Sequence, residues 1–236
     1  MTKKESALGE LVELSHSLGE KSREFVICSE GNTSARIDDR TFFVKASGVE
    51  LGDVSEENLV EVNSAKVLEM LSASELSDEE IRAQLTRAVV HSPSRLAPSV
   101  ETLFHAYLLS LPDVNFVGHT HPISVLGILC SVNWRDAAQI TRIFPDEVIR
   151  CGSSTALVEF APPGIALGRA IRTAVEAYRE AHGSRPKALL MQNHGLVALG
   201  ETAKEVLSIT AMWEKTARVL AGTFSFGGPN YLPPGR

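Results

Sequence analysis

Apolar positions in this chain come in two patterns, and together they predict a layered fold. Leu8, Leu11, Leu14 and Leu18 recur every three or four residues, so residues 5–18 are predicted to form an amphipathic helix. Short apolar runs at 35–37, 41–46 and 59–62 predict strands, with Gly31-Asn32-Thr33-Ser34 as the turn leading into the first. Asn63-Ser64 is positioned to cap a short helix over 65–71. Ser77-Asp78-Glu79-Glu80 reads as a capping box that opens a helix running toward Val90. A Pro- and Ser-rich loop at 92–99 precedes a predicted helix over 100–109. The run Val114-Asn115-Phe116-Val117-Gly118 predicts a strand ending in His119-Thr120-His121, followed by a helix over 123–130 and a strand near 148–151. Residues 164–181 and 201–221 predict long helices, 188–191 and 196–199 predict strands, and the Gly- and Pro-rich tail predicts irregular chain. Strands and helices alternate as in a three-layer α/β/α sandwich around a central mixed, largely antiparallel sheet. No composition break interrupts residues 1–236, so a single domain is expected.

Composition narrows the function classes. The 236 residues are 44% hydrophobic and 22% charged, which is ordinary for a soluble enzyme able to bury a full core. A formal charge of −6 argues against a sequence-independent grip on nucleic acid. No apolar run reaches the roughly 18 residues that would predict a membrane span. Residues 1–6 lack the apolar core of a signal peptide, and Cys28, Cys130 and Cys151 form no CxxC pair. A cytoplasmic location with free thiols is therefore expected.

The candidate chemistry centres on histidine. Side chains two apart on a strand share a face, so His119 and His121 project together. His194 follows another apolar run, within Gln192-Asn193-His194-Gly195, and Glu101 stands beside a Pro-Ser loop. Three neutral nitrogens, a carboxylate and an open position would make a catalytic metal site. Neutral imidazole suits Zn²⁺ or another divalent transition metal, so the ligands alone do not name the ion. Glu101 also reads as a first-turn acid behind Ser99 as N-cap, and His105, four residues on, is either a rival ligand or a locally bonded side chain. Gly31-Asn32 and Ser47-Gly48 are candidate anion cradles, or plain turns between strands, and Ser99 at a helix start could face an anion. Lys45 is available as a charge partner, although strand alternation aims it outward.

The ordered set Gly31-Asn32-Thr33-Ser34, Lys45-Ala46-Ser47-Gly48, Pro98-Ser99-Val100-Glu101-Thr102, His119-Thr120-His121-Pro122 and Asn193-His194-Gly195-Leu196 resembles the class II aldolase/adducin family, spread over most of the chain. That resemblance implies an α/β/α fold, a homotetramer with sites at subunit interfaces, and Zn²⁺ held by His119, His121 and His194 with Glu101 completing the set. It implies a sugar phosphate surrounded by Gly31, Asn32, Ser47, Gly48 and Ser99. The implied reaction is reversible cleavage of a ketose 1-phosphate to dihydroxyacetone phosphate and a small aldehyde, through a metal-stabilised enediolate that exchanges a proton with Glu101. A glutamate rather than an aspartate at 101 favours the aldolase branch over the epimerase branch. The spacer at 74–94 and the segment 200–205 look closer to the aldolase part of bifunctional rhamnulose-phosphate enzymes, with no dehydrogenase domain following. The alternatives are an epimerase, decarboxylase or dehydratase on the same metal site, and an adducin-like interaction protein without enzymatic activity. Two departures stand out: Val100 occupies the place of a second serine found in many relatives, and 139–144 lacks a tyrosine that some aldolases carry, although the tail offers Tyr231.

Overall fold

The chain begins with helix α1 (Lys3–Leu18), whose start is fixed locally: the Thr2 hydroxyl accepts from the Glu5 amide and the Glu5 carboxylate accepts from the Thr2 amide. The structure, a computed structural model, describes residues 2–73, 76–139 and 143–233. Expectations touching 74–75 of the spacer, 140–142 of the tyrosine-free segment and 234–236 of the tail lie outside the described residues.

Among the described residues, eight strands form one sheet. They are β1 (Asn32–Arg36), β2 (Thr41–Lys45), β3 (Leu59–Asn63), β4 (Val89–His91), β5 (Phe116–Thr120), β6 (Ala156–Val158), β7 (Ala188–Met191) and β8 (Gly195–Gly200). The spatial order is β4-β3-β2-β1-β5-β8-β7-β6. Every neighbouring pair is antiparallel except β6 and β7, which are parallel. The sheet is thus mixed and largely antiparallel, as the sequence predicts.

Helices cover both faces. On one lie α2 (Ser64–Ser72), α3 (Asp78–Ala88), α4 (Thr102–Leu109) and α8 (Ile165–His182), packed on Phe42, Val44, Val117 and Val197. On the other lie α1, α5 (Ile123–Leu129), α6 (Trp134–Gln139), α7 (Pro145–Cys151) and α9 (Ala203–Thr223), packed on Ala35, Phe43, Phe116 and Ala198. The period-two alternation of each strand divides its residues between these two cores. Leu11, Leu14 and Leu18 of α1 are buried against the second core, each contributing about 1.5–3 kcal/mol of transfer free energy.

Several elements differ from the sequence prediction. Residues 148–151, predicted as a strand, form the end of α7; Pro145 at its first turn and Asp146 and Glu147 behind it are helix-start signals that outweigh the β-branched Val148-Ile149 pair. The helix expected to run to Val90 ends at Ala88, because Val89–His91 pairs with β3 at the sheet edge. The helix expected from Val100 begins at Thr102, after a turn. α6 and β6 carry too few periodic positions to be read from sequence. Asn32, Thr33 and Ser34, expected in a turn, are buried strand residues. A tertiary partner makes each tolerable: Thr33 bonds Ser15 of α1, Ser34 bonds His105, and Asn32 bonds Glu101 and His105.

Candidate metal centre

The antiparallel order brings distant segments to one end of the sheet. Asn32 at the start of β1 pairs with His119 near the end of β5, and His119 pairs in turn with Val197 of β8. His194 sits in the tight β7–β8 turn, beside Asn193 in a left-handed conformation (φ 52°). His119 shares its face with Val117 and Asn32, under α4, where Phe104 meets its ring edge-on. His121, two residues on, lies just past the strand end.

The three imidazoles converge. Their ring centroids are 4.7, 5.0 and 5.3 Å apart, and one nitrogen from each lies within 4.8 Å of the others. Tetrahedral zinc ligands sit about 3.3 Å from one another, so this spacing suits a divalent ion after small side-chain adjustments. His119 Nδ1 lies 3.0 Å from the Leu196 carbonyl, which can only accept. The ring therefore donates from Nδ1 and turns its Nε2 lone pair toward the other two histidines, the outer-sphere arrangement of a metal ligand. His121 Nε2 is 3.0 Å from His119 Nε2, and its Nδ1 faces Glu30 at 3.7 Å. The donor set fits a borderline divalent metal.

Gly195 makes the convergence possible. A Cβ there would lie 2.6 Å from the Thr120 carbonyl and 2.8 Å from His121 Cδ2. Gly195→Ala is expected to destabilise the protein by about 1–3 kcal/mol and to weaken zinc binding roughly tenfold or more. Thermal unfolding and zinc titration check both effects; unchanged affinity would show that the imidazoles do not depend on this contact.

Glu101 is the fourth group of the cluster. It occupies the N-cap position of α4, where a carboxylate meets the positive end of the helix dipole. Ser99 is not the N-cap of α4; its hydroxyl accepts from the Glu101 amide at 3.2 Å and holds the preceding turn. Oε1 of Glu101 lies 3.2 Å from His194 Nε2 and 3.7 Å from His119 Nε2, while Oε2 accepts from the Asn32 amide. Burial acts to raise the Glu101 carboxyl, but His119, His194 and Asn32 together outweigh it and hold it well below the ordinary carboxylate range. His105 does not join the imidazole cluster; it is fully buried and bonds Asn32 and Ser34.

The other predicted residues fall in two places: the Ser47-Gly48 turn beside Ser99, and Gly31 against the His119 backbone. An Ala46–Pro98 bridge and the Ser47 amide bond to the Ala97 carbonyl place the Ser47-Gly48 turn beside Ser99. Ser47 and Gly48 are exposed, Gly48 at φ 79°. The Ser47 amide is already used, so the hydroxyl is the donor that Ser47 itself can offer. Gly31 (φ 66°) has no room for a side chain, since a Cβ would lie 2.5 Å from the His119 carbonyl. Lys45 departs from the outward aim expected of it. Both faces of the sheet are covered, so the ammonium is buried and donates to the Val49 carbonyl at 2.5 Å. Burial lowers it to about 8, with Glu101 acting in the opposite direction. Sequence reading names Lys45 as a charge partner but aims it outward, and it misses the Glu30 carboxylate, which no local signal marks.

Burial pushes His119 down to about 4, and His105 and His121 to about 3, so all three are neutral in the folded protein at pH 7. In the unfolded chain they protonate near the ordinary value of 6.5. Stability of the metal-free protein is thus fully present above about pH 6.5 and is lost as pH falls toward 4, by at most about 1.4 kcal/mol per pH unit for each histidine. Denaturant unfolding of metal-free protein at about pH 7 and about pH 5 checks this; a flat profile contradicts it.

Comparison with known proteins places this geometry. The chain is 27% identical over 216 residues to an uncharacterized oxidoreductase, YuxG, of Bacillus subtilis (strain 168), covering 86% of this chain and 29% of that protein. It therefore spans under a third of that relative's length. The fold is shared with the N-terminal class II aldolase domain of a conserved protein from Thermoplasma acidophilum (TM-score 0.74, 24% identity, 94% of this chain and 96% of that one). It is shared also with a sugar-phosphate aldolase from Thermotoga maritima (TM-score 0.70, 18% identity, 98% of this chain and 98% of that one). Residues 9–221 match the family described as the Class II Aldolase and Adducin N-terminal domain, and the chain belongs to that family.

Proposed function

We propose that this chain is a metal-dependent aldehyde-lyase that reversibly cleaves a ketose 1-phosphate, or a related sugar derivative, into dihydroxyacetone phosphate and a small aldehyde. One observation carries the reading: a single carboxylate oxygen, Glu101 Oε1, lies within 3.7 Å of the inward nitrogens of both His119 and His194. A group that can exchange a proton thus stands at the edge of the position where a metal would bind. His119, His121 and His194 would hold Zn²⁺ or a similar divalent ion, which supplies stabilisation of the negative charge that develops on a substrate carbonyl oxygen. On condensation the ionised Glu101 takes a proton from the carbon beside the carbonyl, and solvent protonates the new hydroxyl. Cleavage is the reverse: the hydroxyl that becomes the aldehyde gives up its proton to solvent, and the protonated carboxyl returns its own to the carbanion carbon. The Ser47 hydroxyl, Ser99 and the Gly31-Asn32 and Gly48 backbone form the rim on which a phosphate would sit, with the Lys45 ammonium adding positive charge behind it. The protein is proposed to act as a homotetramer.

The test is product analysis of the zinc-loaded protein with a panel of phosphorylated ketoses. Release of two carbon fragments, one of them dihydroxyacetone phosphate, supports the lyase. A single rearranged, decarboxylated or dehydrated product instead assigns an epimerase, decarboxylase or dehydratase to the same residues. A chain that takes up no zinc and turns over nothing would be an adducin-like interaction protein.

A further inference from the structure

Behind the metal cluster runs a line of polar contacts that the chemistry above does not use. His105 has no accessible surface, and its neighbours Ser34 and Asn32 are 0% and 3% exposed. Ser34 Oγ lies 2.7 Å from His105 Nδ1. His105 Nε2 meets Asn32 Oδ1, and Asn32 Nδ2 meets Glu101 Oε2. The anchor points come from different elements: β1 supplies Ser34 and Asn32, α4 supplies His105, and Glu101 caps α4.

Counting donors gives this line one direction. An ionised carboxylate only accepts, so Asn32 must present its amide nitrogen to Glu101. The amide oxygen then faces His105 and can only accept, so His105 must donate from Nε2. That leaves Nδ1 as a bare lone pair, and the Ser34 hydroxyl is the donor that satisfies it. Every proton in the series Ser34, His105, Asn32, Glu101 therefore points toward the carboxylate. On the opposite face of β1 the buried Thr33–Ser15 hydroxyl pair ends on the Leu11 carbonyl inside α1. That contact has the form of ordinary polar satisfaction, and it leads to no reactive group.

We propose that His105 is a positioning residue for Glu101, acting through Asn32. Its Nε2–H locks the Asn32 amide in the one orientation that donates to Glu101 Oε2. The carboxylate is thereby pinned through Oε2 and offers Oε1 alone to the imidazole cluster and to a substrate. Without that donor the Asn32 amide oxygen is left unpaired in a buried site, and the amide shifts to find another partner. Glu101 Oε2 then loses the aligned donor that pins it, and the carboxylate rotates away. This role deepens the reaction proposed above and rests on it for its catalytic consequence, but the hydrogen-bond direction does not.

Nitrogen-15 histidine spectra of the wild-type, metal-free protein test the direction, with the His105 signals assigned by their loss in His105→Gln. The Nε2–H tautomer is expected at about pH 7; an Nδ1–H tautomer overturns the proposal, whatever the substrate is. Zinc titration gives a second reading independent of turnover. His105→Leu is expected to weaken zinc binding roughly tenfold, because Oε1 is no longer held toward the ion, and His105→Gln, which keeps an N–H in place, to recover most of it. With substrate, His105→Leu is expected to lower kcat about 10–100-fold at nearly constant KM, and His105→Gln to restore it. Equal losses in both variants, or a change confined to KM, would reduce His105 to a buried structural group. Should His105→Leu fail to fold, Ser34→Ala replaces it. Ser34→Ala removes the donor to Nδ1 but leaves Asn32 Oδ1 in place, so the Nε2–H tautomer is expected to persist with a modest loss of kcat, and a switch to the Nδ1–H tautomer with full kcat overturns the proposal. If no ketose phosphate is cleaved by the wild type, the lyase fails while the tautomer and zinc readings still decide the role of His105.

Discussion

His119→Ala is expected to abolish zinc retention and turnover while leaving a folded chain. The imidazole is fully buried between Phe104, the other two histidines and the Leu196 carbonyl, so no other described side chain is placed to take over its nitrogen. Loss of an outer-sphere partner typically weakens a metal site about 10–100-fold, and removal of a ligand itself is expected to exceed about 100-fold. Losing the Nδ1–H bond to Leu196 costs about 1 kcal/mol of stability, small enough for the fold to survive. His194→Ala is expected to behave alike in metal content, with less loss of stability because its ring is partly exposed. Elemental analysis of the purified variants and zinc titration check this. Stoichiometric zinc with full activity in either variant would remove the histidines from the metal site.

Glu101→Gln is expected to separate metal binding from turnover. Three imidazoles remain to hold the ion, so the site is expected to keep its zinc with an affinity only about tenfold weaker, the same loss expected when Oε1 is turned away from it. The donor order behind the site still applies: Asn32 presents an N–H, so the glutamine turns its oxygen to Asn32 and its nitrogen toward His119 and His194. An amide nitrogen in that position cannot take up a proton. Turnover is therefore expected to fall about 10²–10⁴-fold, the usual contribution of a positioned general acid–base. Steady-state kinetics with a cleaved ketose phosphate, beside zinc content, reads both effects. Unchanged turnover would take the proton-transfer role away from Glu101.

Much of the candidate site was legible in the sequence because its signals are local. His119 and His121 share a face through strand periodicity alone, and His194 directly follows a second apolar run. The same local logic placed α1 through its leucine spacing and α3 through its capping box. It failed where a tertiary partner reversed a local preference. Asn32-Thr33-Ser34 looks like a turn by composition, yet each residue lies in a buried strand because Ser15, His105 and Glu101 supply the missing hydrogen bonds. Strand alternation reads Lys45 as outward, but both faces of the sheet are covered and the ammonium is buried. Residues 148–151 show the converse: the proline and acids that begin α7 are local signals that override the β-branched Val148-Ile149 pair.

Local periodicity and residue chemistry by themselves determined the layered architecture, the three imidazoles and the acid, and through their ordered motifs the family. The folded chain alone decided which oxygen of Glu101 faces the histidines and which is held by Asn32. It also decided that His105 stands behind the carboxylate rather than among the ligands. The physical reason is range. Side-chain direction within a strand or helix is set by a repeat of two or about 3.6 residues and can be read along the chain. The direction of a hydrogen bond between groups 69 and 73 residues apart is set only when strand order brings them together and an acceptor-only carboxylate fixes one end.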